Sequence, residues 1–117
     1  MKIPGEGMLL RIFVGEDDRY QGKPLYEQIV VRARELHCAG ATVIRGMMGF
    51  GARSLMHTAK VLRLSEDLPV IIEIVDTEES LNRLMPFLDQ AVTEGLITLE
   101  KVNVIKYRAV KRSAHGG

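Results

Sequence analysis

One stretch of this chain, Arg45-Gly46-Met47-Met48-Gly49-Phe50-Gly51-Ala52-Arg53, sets cations around a cluster of glycines. His57, Lys60 and Arg63 continue the run, and the next acidic residues downstream are Glu66 and Asp67. Glycine lets the backbone turn freely and lets a ligand come close to the main chain. A strand ending in glycines and followed by cations suits a phosphate or another anion, with arginine giving bidentate contacts and lysine a point charge. The same glycines also suit a plain turn, and the same charges a solvated face. Phe50 can stack on a base or plug an interface. His57 can sense pH or hold a ligand, and it reads equally as a solvated histidine.

Covalent or acid–base chemistry has much less to work with. Glu73 and Asp76 stand three apart on or just after one strand, hence on opposite sides of it. Asp76, with Glu79 three residues on, reads as a helix cap. His37 and Cys38 are neighbours on a helix, about 100° apart around its axis, so they make a poor metal pair. His115 lies near the chain end, and no set of three or four zinc ligands assembles. No serine sits in a nucleophile elbow. The chain is expected to have no catalytic or metal-ligating residues and not to be an enzyme.

Composition narrows the classes further. The 117 residues make one domain by length, large enough to bury roughly 65% of the unfolded surface. Formal net charge is +1, so no global field draws the chain to nucleic acid or membrane. Three phenylalanines, three tyrosines and no tryptophan leave little for stacking on nucleic acid, which is not expected as a partner. Cys38 is the only cysteine, so no disulfide forms within the chain. No apolar run approaches the roughly 20 residues of a membrane helix, and Met1 to Gly7 lacks a secretion-signal core. The expected location is cytoplasmic.

The elements that must position these residues follow from periodicity. Met8 to Val14 reads as a strand with Met8, Leu10, Ile12 and Val14 on one side. Gly15 to Lys23 is a polar connection. Pro24 opens a helix whose apolar stripe is Leu25, Ile29, Ala33 and Leu36, with Gly40 as the residue that ends it. Ala41 to Arg45 is a second strand, and Gly46 to Asp67 a long loop, a length that calls for a purpose. Leu68 to Val75 is a third strand, with Pro69 allowed at its start. A second helix follows from Asp76 to Gly95, buried along Leu81, Leu84, Met85, Leu88 and Val92, and kinked or divided at Pro86. Ile97 to Tyr107 is the last strand, with a bulge or late start between Leu99 and Val102. Residues 109–117 read as a disordered basic tail, leaving a single domain over 1–108 with its long loop at 46–67.

The order strand, helix, strand, strand, helix, strand is the βαββαβ pattern of the α+β ferredoxin-like sandwich, a four-stranded antiparallel sheet with two helices on one face. Two helices leave the other face open, yet Leu9, Phe13, Ile71 and Val75 make it apolar. An open apolar face of that size favours self-association, and sheets packing face to face in a homo-oligomer are expected.

The element order, the Gly49-Phe50-Gly51 turn and Leu68-Pro69 ahead of an Ile72-Glu73-Ile74 strand together resemble the PII signalling superfamily. Within it the chain is most similar to the family named domain of unknown function 190, through Arg45 to Gly51, Pro69 to Asp76 and Gly22-Lys23-Pro24-Leu25. The resemblance spans about Met8 to Tyr107. It implies a homotrimer whose subunit clefts take a small anionic effector, an adenine nucleotide, at the root of loop 46–67. By that resemblance Gly49, Gly51, Lys101 and Arg108 are ligand-binding residues, and the glycine-flanked ring and the cation run add Phe50, Arg45, Arg53 and His57 as candidates, with Arg53 and Ser54 standing where PII proteins carry a glutamine and a lysine. Lys101 falls where PII proteins place a phosphate-binding lysine, and Arg108 corresponds to their carboxy-terminal arginines. The last-strand turn reads Thr98-Leu99-Glu100-Lys101 where PII proteins carry two glycines, and the loop has no tyrosine for uridylylation. The function implied is regulation of a partner protein through the loop, with a membrane transporter or channel as client. The alternative is a structural or metal-handling trimer resembling the CutA proteins, without nucleotide binding.

Overall fold

The structure is a computed structural model that describes residues 5–50 and 68–109. Its centre is β1 (Gly5–Gly15), where even-numbered Leu10, Ile12 and Val14 are buried and their odd-numbered neighbours are only half-buried. A tight hairpin of β2 (Arg19–Tyr20) and β3 (Lys23–Pro24) comes next. Helix α1 (Leu25–Glu35) leads to β4 (Thr42–Arg45), and β5 (Pro69–Asp76) to α2 (Glu78–Ala91) and β6 (Leu96–Val104). The main sheet runs β4-β5-β1-β6 with every neighbouring pair antiparallel, which is the ferredoxin-like sandwich expected from the sequence. Both helices cover the side that carries Leu10, Ile12, Ile72 and Ile74, and with Ile29 and Leu84 these are at most 1% exposed. No helix of the described residues is long and apolar enough to cross a membrane.

Local chemistry moves several boundaries. Within the polar connection Gly15 to Lys23 the structure forms a hairpin, in which Gln21 and Gly22 both take positive φ (52° and 80°), the conformation of a type I′ turn that matches strand twist. Pro24 precedes α1 as its N-cap rather than lying in its first turn. The helix ends earlier than Gly40. His37 takes the left-handed conformation (φ 61°), its N–H donates to Arg34 O, and the Cys38 N–H reaches back to Ala33 O. That pair of bonds is a Schellman closure built on histidine, so His37 and Cys38 lie beyond the helix instead of on it.

At the second helix the cap is Thr77, whose Oγ1 accepts the Ser80 N–H at 3.1 Å. Asp76 is not the cap. It is 1% exposed, the one buried charged residue among those described, and its oxygens accept the Thr77 N–H (2.7 Å) and the Ala39 N–H (2.8 Å). Helix α2 is not divided at Pro86, and its buried stripe includes Phe87 and Ala91, with Met85 and Val92 only partly covered. Phe87 is held between Tyr20, edge-on at 5.4 Å, and the Arg32 guanidinium, 4.5 Å from its ring centre. Strand β6 ends at Val104, and its pairing with β1 is continuous from Leu96 to Val104, with no bulge. Beyond it the chain is irregular, and the Tyr107 hydroxyl donates to Ala39 O at 3.3 Å.

Candidate functional site

The root of the long loop is built by β4 and β5. Their ladder closes with Arg45 opposite Val70, and the Gly46 N–H donates to Pro69 O at 2.7 Å. Gly46 lies so close to β5 that a Cβ there would stand 2.7 Å from Pro69 Cγ and 3.3 Å from Pro69 O. Gly49 comes back onto the same proline, where a Cβ would be 3.1 Å from Cγ. Gly46 is thus required by contact with a rigid ring, and a side chain at Gly49 would press on the same ring, a packing reason the sequence alone does not reveal. The other root is tied by the Glu16 N–H, which donates to Leu68 O at 2.8 Å.

Glu16 does more than hold the backbone. Its carboxylate pairs with Arg45 Nη2 at 2.9 Å, so this guanidinium already has an acidic partner. Arg45 nonetheless stays well exposed, and an exposed pair of this kind is weak enough to exchange for a better anion. Met47, Met48 and Phe50 project outward, exposed to 90%, 67% and 72%. Gly51, Arg53 and His57, together with Lys60 and Arg63, lie outside the described residues.

The remaining two candidates are elsewhere. Lys101 on β6 pairs with Met8, whereas Arg45 lies level with Val70 and Val14, six residues away along β1. That offset is about 20 Å along the strands, and the opposite sheet edges add about 14 Å across them. Lys101 lines an open recess of ≈ 370 Å³ with Glu6, Val102 and Asn103. Arg108 lies exposed beyond β6, one residue past Tyr107. Within one chain, therefore, Arg45, Gly49 and Phe50 gather at one end of the sheet, and Lys101 does not join them.

The turn at Gly95, a helix stop by sequence, belongs to the same end of the sheet as Arg45. Gly95 precedes β6 with φ 155°, and a Cβ there would meet Phe13 O at 2.6 Å. The signal was present as Glu94-Gly95-Leu96, but nothing in its spacing linked it to the distant Arg45.

The described residues contain no group of three or more His, Cys, Asp or Glu side chains able to hold a metal. Burial and the nearby Asp76 carboxylate push the Cys38 thiol up, against a smaller opposing effect of Arg83. A thiol raised in this way is a poor nucleophile at neutral pH.

Comparison with known proteins places this geometry in context. A UPF0166 protein of Aquifex aeolicus (strain VF5) is 42% identical over 97 residues, covering 83% of this chain and 91% of the relative. Among solved structures, CPII from Thiomonas intermedia K12, a nitrogen regulatory PII-like protein bound to ADP, AMP and bicarbonate, superposes with a TM-score of 0.60. The identity is 12%, over 88% of this chain and 97% of that one. The B. subtilis GlnK–ATP complex gives 0.56 at 14% identity, over 87% and 86% of the two chains. These two likenesses establish a PII-like fold. The profile of the DUF190 family, described as "Uncharacterized ACR", matches residues 7–104, and the chain belongs to that family.

Proposed function

We propose that this chain is a PII-like regulatory protein that binds an adenine nucleotide in clefts between subunits and signals through loop 46–67. The observation that carries the reading is the loop root itself. Two glycines folded onto Pro69 leave exposed backbone, Arg45 and Phe50 beside the start of a cation-rich segment. Proteins of the same fold bind ADP, AMP and ATP, which supports the choice of ligand. The distance between Arg45 and Lys101 adds a constraint. In this reading Arg45, Gly49, Phe50, Gly51, Arg53 and His57 come from one subunit, and Lys101 with Arg108 from its neighbour.

Self-association is inferred from the open sheet side, where Leu9, Phe13, Ile71 and Val75 have no helix of the described residues over them; three subunits are the number the fold resemblance suggests. Nucleotide then acts by favouring one state of the loop, for which a coupling of about 1–3 kcal/mol is enough. The loop docks on or leaves a client, and a membrane transporter or channel is the class that the resemblance suggests. The protein acts without catalysing a reaction, as a cytoplasmic binding module.

Isothermal titration of the full chain with ADP and ATP tests the reading. Saturable binding is expected, weakened at least about tenfold by Arg53→Ala, a loss of about 1.4 kcal/mol. Absence of binding up to about millimolar nucleotide, the weak end of specific recognition, would overturn it. Light scattering supplies the second arm, since a lone 13.1 kDa particle at micromolar concentration removes the clefts.

A further inference from the structure

The open side of the sheet carries a row of charge across its middle. Arg11 on β1 donates through Nε to Glu73 Oε2 on β5 at 2.9 Å, and through Nη1 to Glu100 Oε1 on β6 at 2.7 Å. The hydrogen bond that Arg11 donates to Glu73 is the largest cause of an upward shift of its guanidinium, so that group stays charged at every ordinary pH. Leu9, Phe13, Ile71, Val75, Leu96 and Val102 surround the row by register. Thr42 and Ile44 on β4, Thr98 and Val104 on β6, and Pro69 with the glycines of β1 complete this side. Among the described strands, Arg11, Glu73 and Glu100 are its only charged or titratable groups.

Two carboxylates and one guanidinium leave the row with one surplus negative charge. A solvated subunit tolerates this, since the three side chains are 37%, 31% and 56% exposed. A homo-oligomer that packs on this side has a difficulty that symmetry cannot remove. Every copy that meets the row through this same side brings the same ratio of two carboxylates to one guanidinium. Burying an uncompensated carboxylate is costly, and the usual escape is to neutralise it.

We propose that self-association of this chain is linked to proton uptake, with Glu100 taking a proton from solvent as sister sheets close over the row. The inference rests on the oligomer described under Proposed function. Glu73 stands directly opposite Arg11 in the ladder, whereas Glu100 reaches it diagonally and is the more exposed of the two acids. Glu100 is therefore the acid whose solvation changes most on packing. Over the pH range in which the assembled carboxyl is protonated and the separated one is not, the assembled state holds up to one more proton per subunit. Linkage then makes association strengthen as pH falls toward the carboxylate range, and makes it flat at alkaline pH where neither state holds the proton.

Sedimentation equilibrium of the full chain, with a chelator present, between about pH 8 and about pH 5.5 measures the effect. The half-assembly concentration is expected to fall by about tenfold or more across that range. Glu100→Gln, which keeps shape and removes the surplus charge, is expected to associate tightly at every pH and to lose the slope. Glu73→Gln restores the charge balance as well and is expected to flatten the slope too. Titration calorimetry in two buffers of different ionisation enthalpy should count about one proton per subunit. An oligomer whose stability ignores pH, or a Glu100→Gln variant with the slope intact, overturns the proton linkage and leaves the oligomer standing. A chain that remains a 13.1 kDa particle at every pH and concentration overturns both.

Discussion

The two sides of the β-sheet are made of similar residues but have different surroundings. Ile12 and Phe13 are adjacent, as are Val70 and Ile71, and Ile74 and Val75. The first of each pair faces α1 and α2 and is at most 2% exposed; the second faces away and is half-buried. The covered side is closed by helices of the same chain and, among the described residues, buries one charged residue, Asp76, with both carboxylate oxygens hydrogen-bonded. The open side admits three charged residues in a row. Similar hydrophobicity thus serves two ends. On one side it builds the fold; on the other it is available to a second molecule, and the charge row at its centre limits how that molecule can approach.

The sharpest way to break this comparison is to cut the covered side. Ile12→Ala removes three carbons from a fully buried position and is expected to destabilise the chain by about 2–5 kcal/mol. Urea unfolding measures the loss, and a value below about 1 kcal/mol would mean that the two sides do not differ as described. Asp76→Ala comes next. It leaves the Thr77 and Ala39 N–H groups without their acceptors in a buried place, and each orphaned donor costs about 1–3 kcal/mol unless water enters. Asp76→Asn should recover part of the loss, because the amide keeps one acceptor but turns a donor toward the other N–H.

How much of this was legible beforehand depends on the range of the interaction. The sheet, its two helices and the division of β5 into alternating sides follow from period-two and helical spacing, which are local. His37 as the helix terminator was hidden because glycine is the usual left-handed residue, and Gly40 stood only three positions away. Asp76 looked like a cap since its partner Ala39 is 37 residues distant and no local pattern announces the bond. At the candidate site the glycines were visible, but their contact with Pro69 was not. Arg45, Gly49 and Phe50 are brought to one end by the same strand that names them, whereas Lys101 needed the β1–β6 register to reveal its separation.

A smaller effect tests the corrected start of α2. Thr77→Ala removes the oxygen that accepts the Ser80 N–H and should cost about 1 kcal/mol, against a near-neutral result for Glu79→Ala if Glu79 closes no capping box. Equilibrium denaturation of the two variants side by side gives the answer.

A mild substitution in the separated subunit is also the one that sharpens the contrast most. Phe13→Ala sits one residue from Ile12 but on the open side, where the ring is half-buried and no helix of the described residues packs on it. In dilute protein it should cost the fold about 1 kcal/mol or less, because little of the transfer and cavity cost of a buried aromatic applies. Its effect should appear on raising the concentration, as a shift of the half-assembly point toward higher protein. Ile12→Ala behaves in the opposite way, with a large loss of unfolding free energy that is already present at dilution. If Phe13→Ala unfolds the separated subunit as severely as Ile12→Ala, then the open side is part of the core of a single chain. The charge row would then be a local ion-pair network, and no surface would remain for a sister subunit to cover.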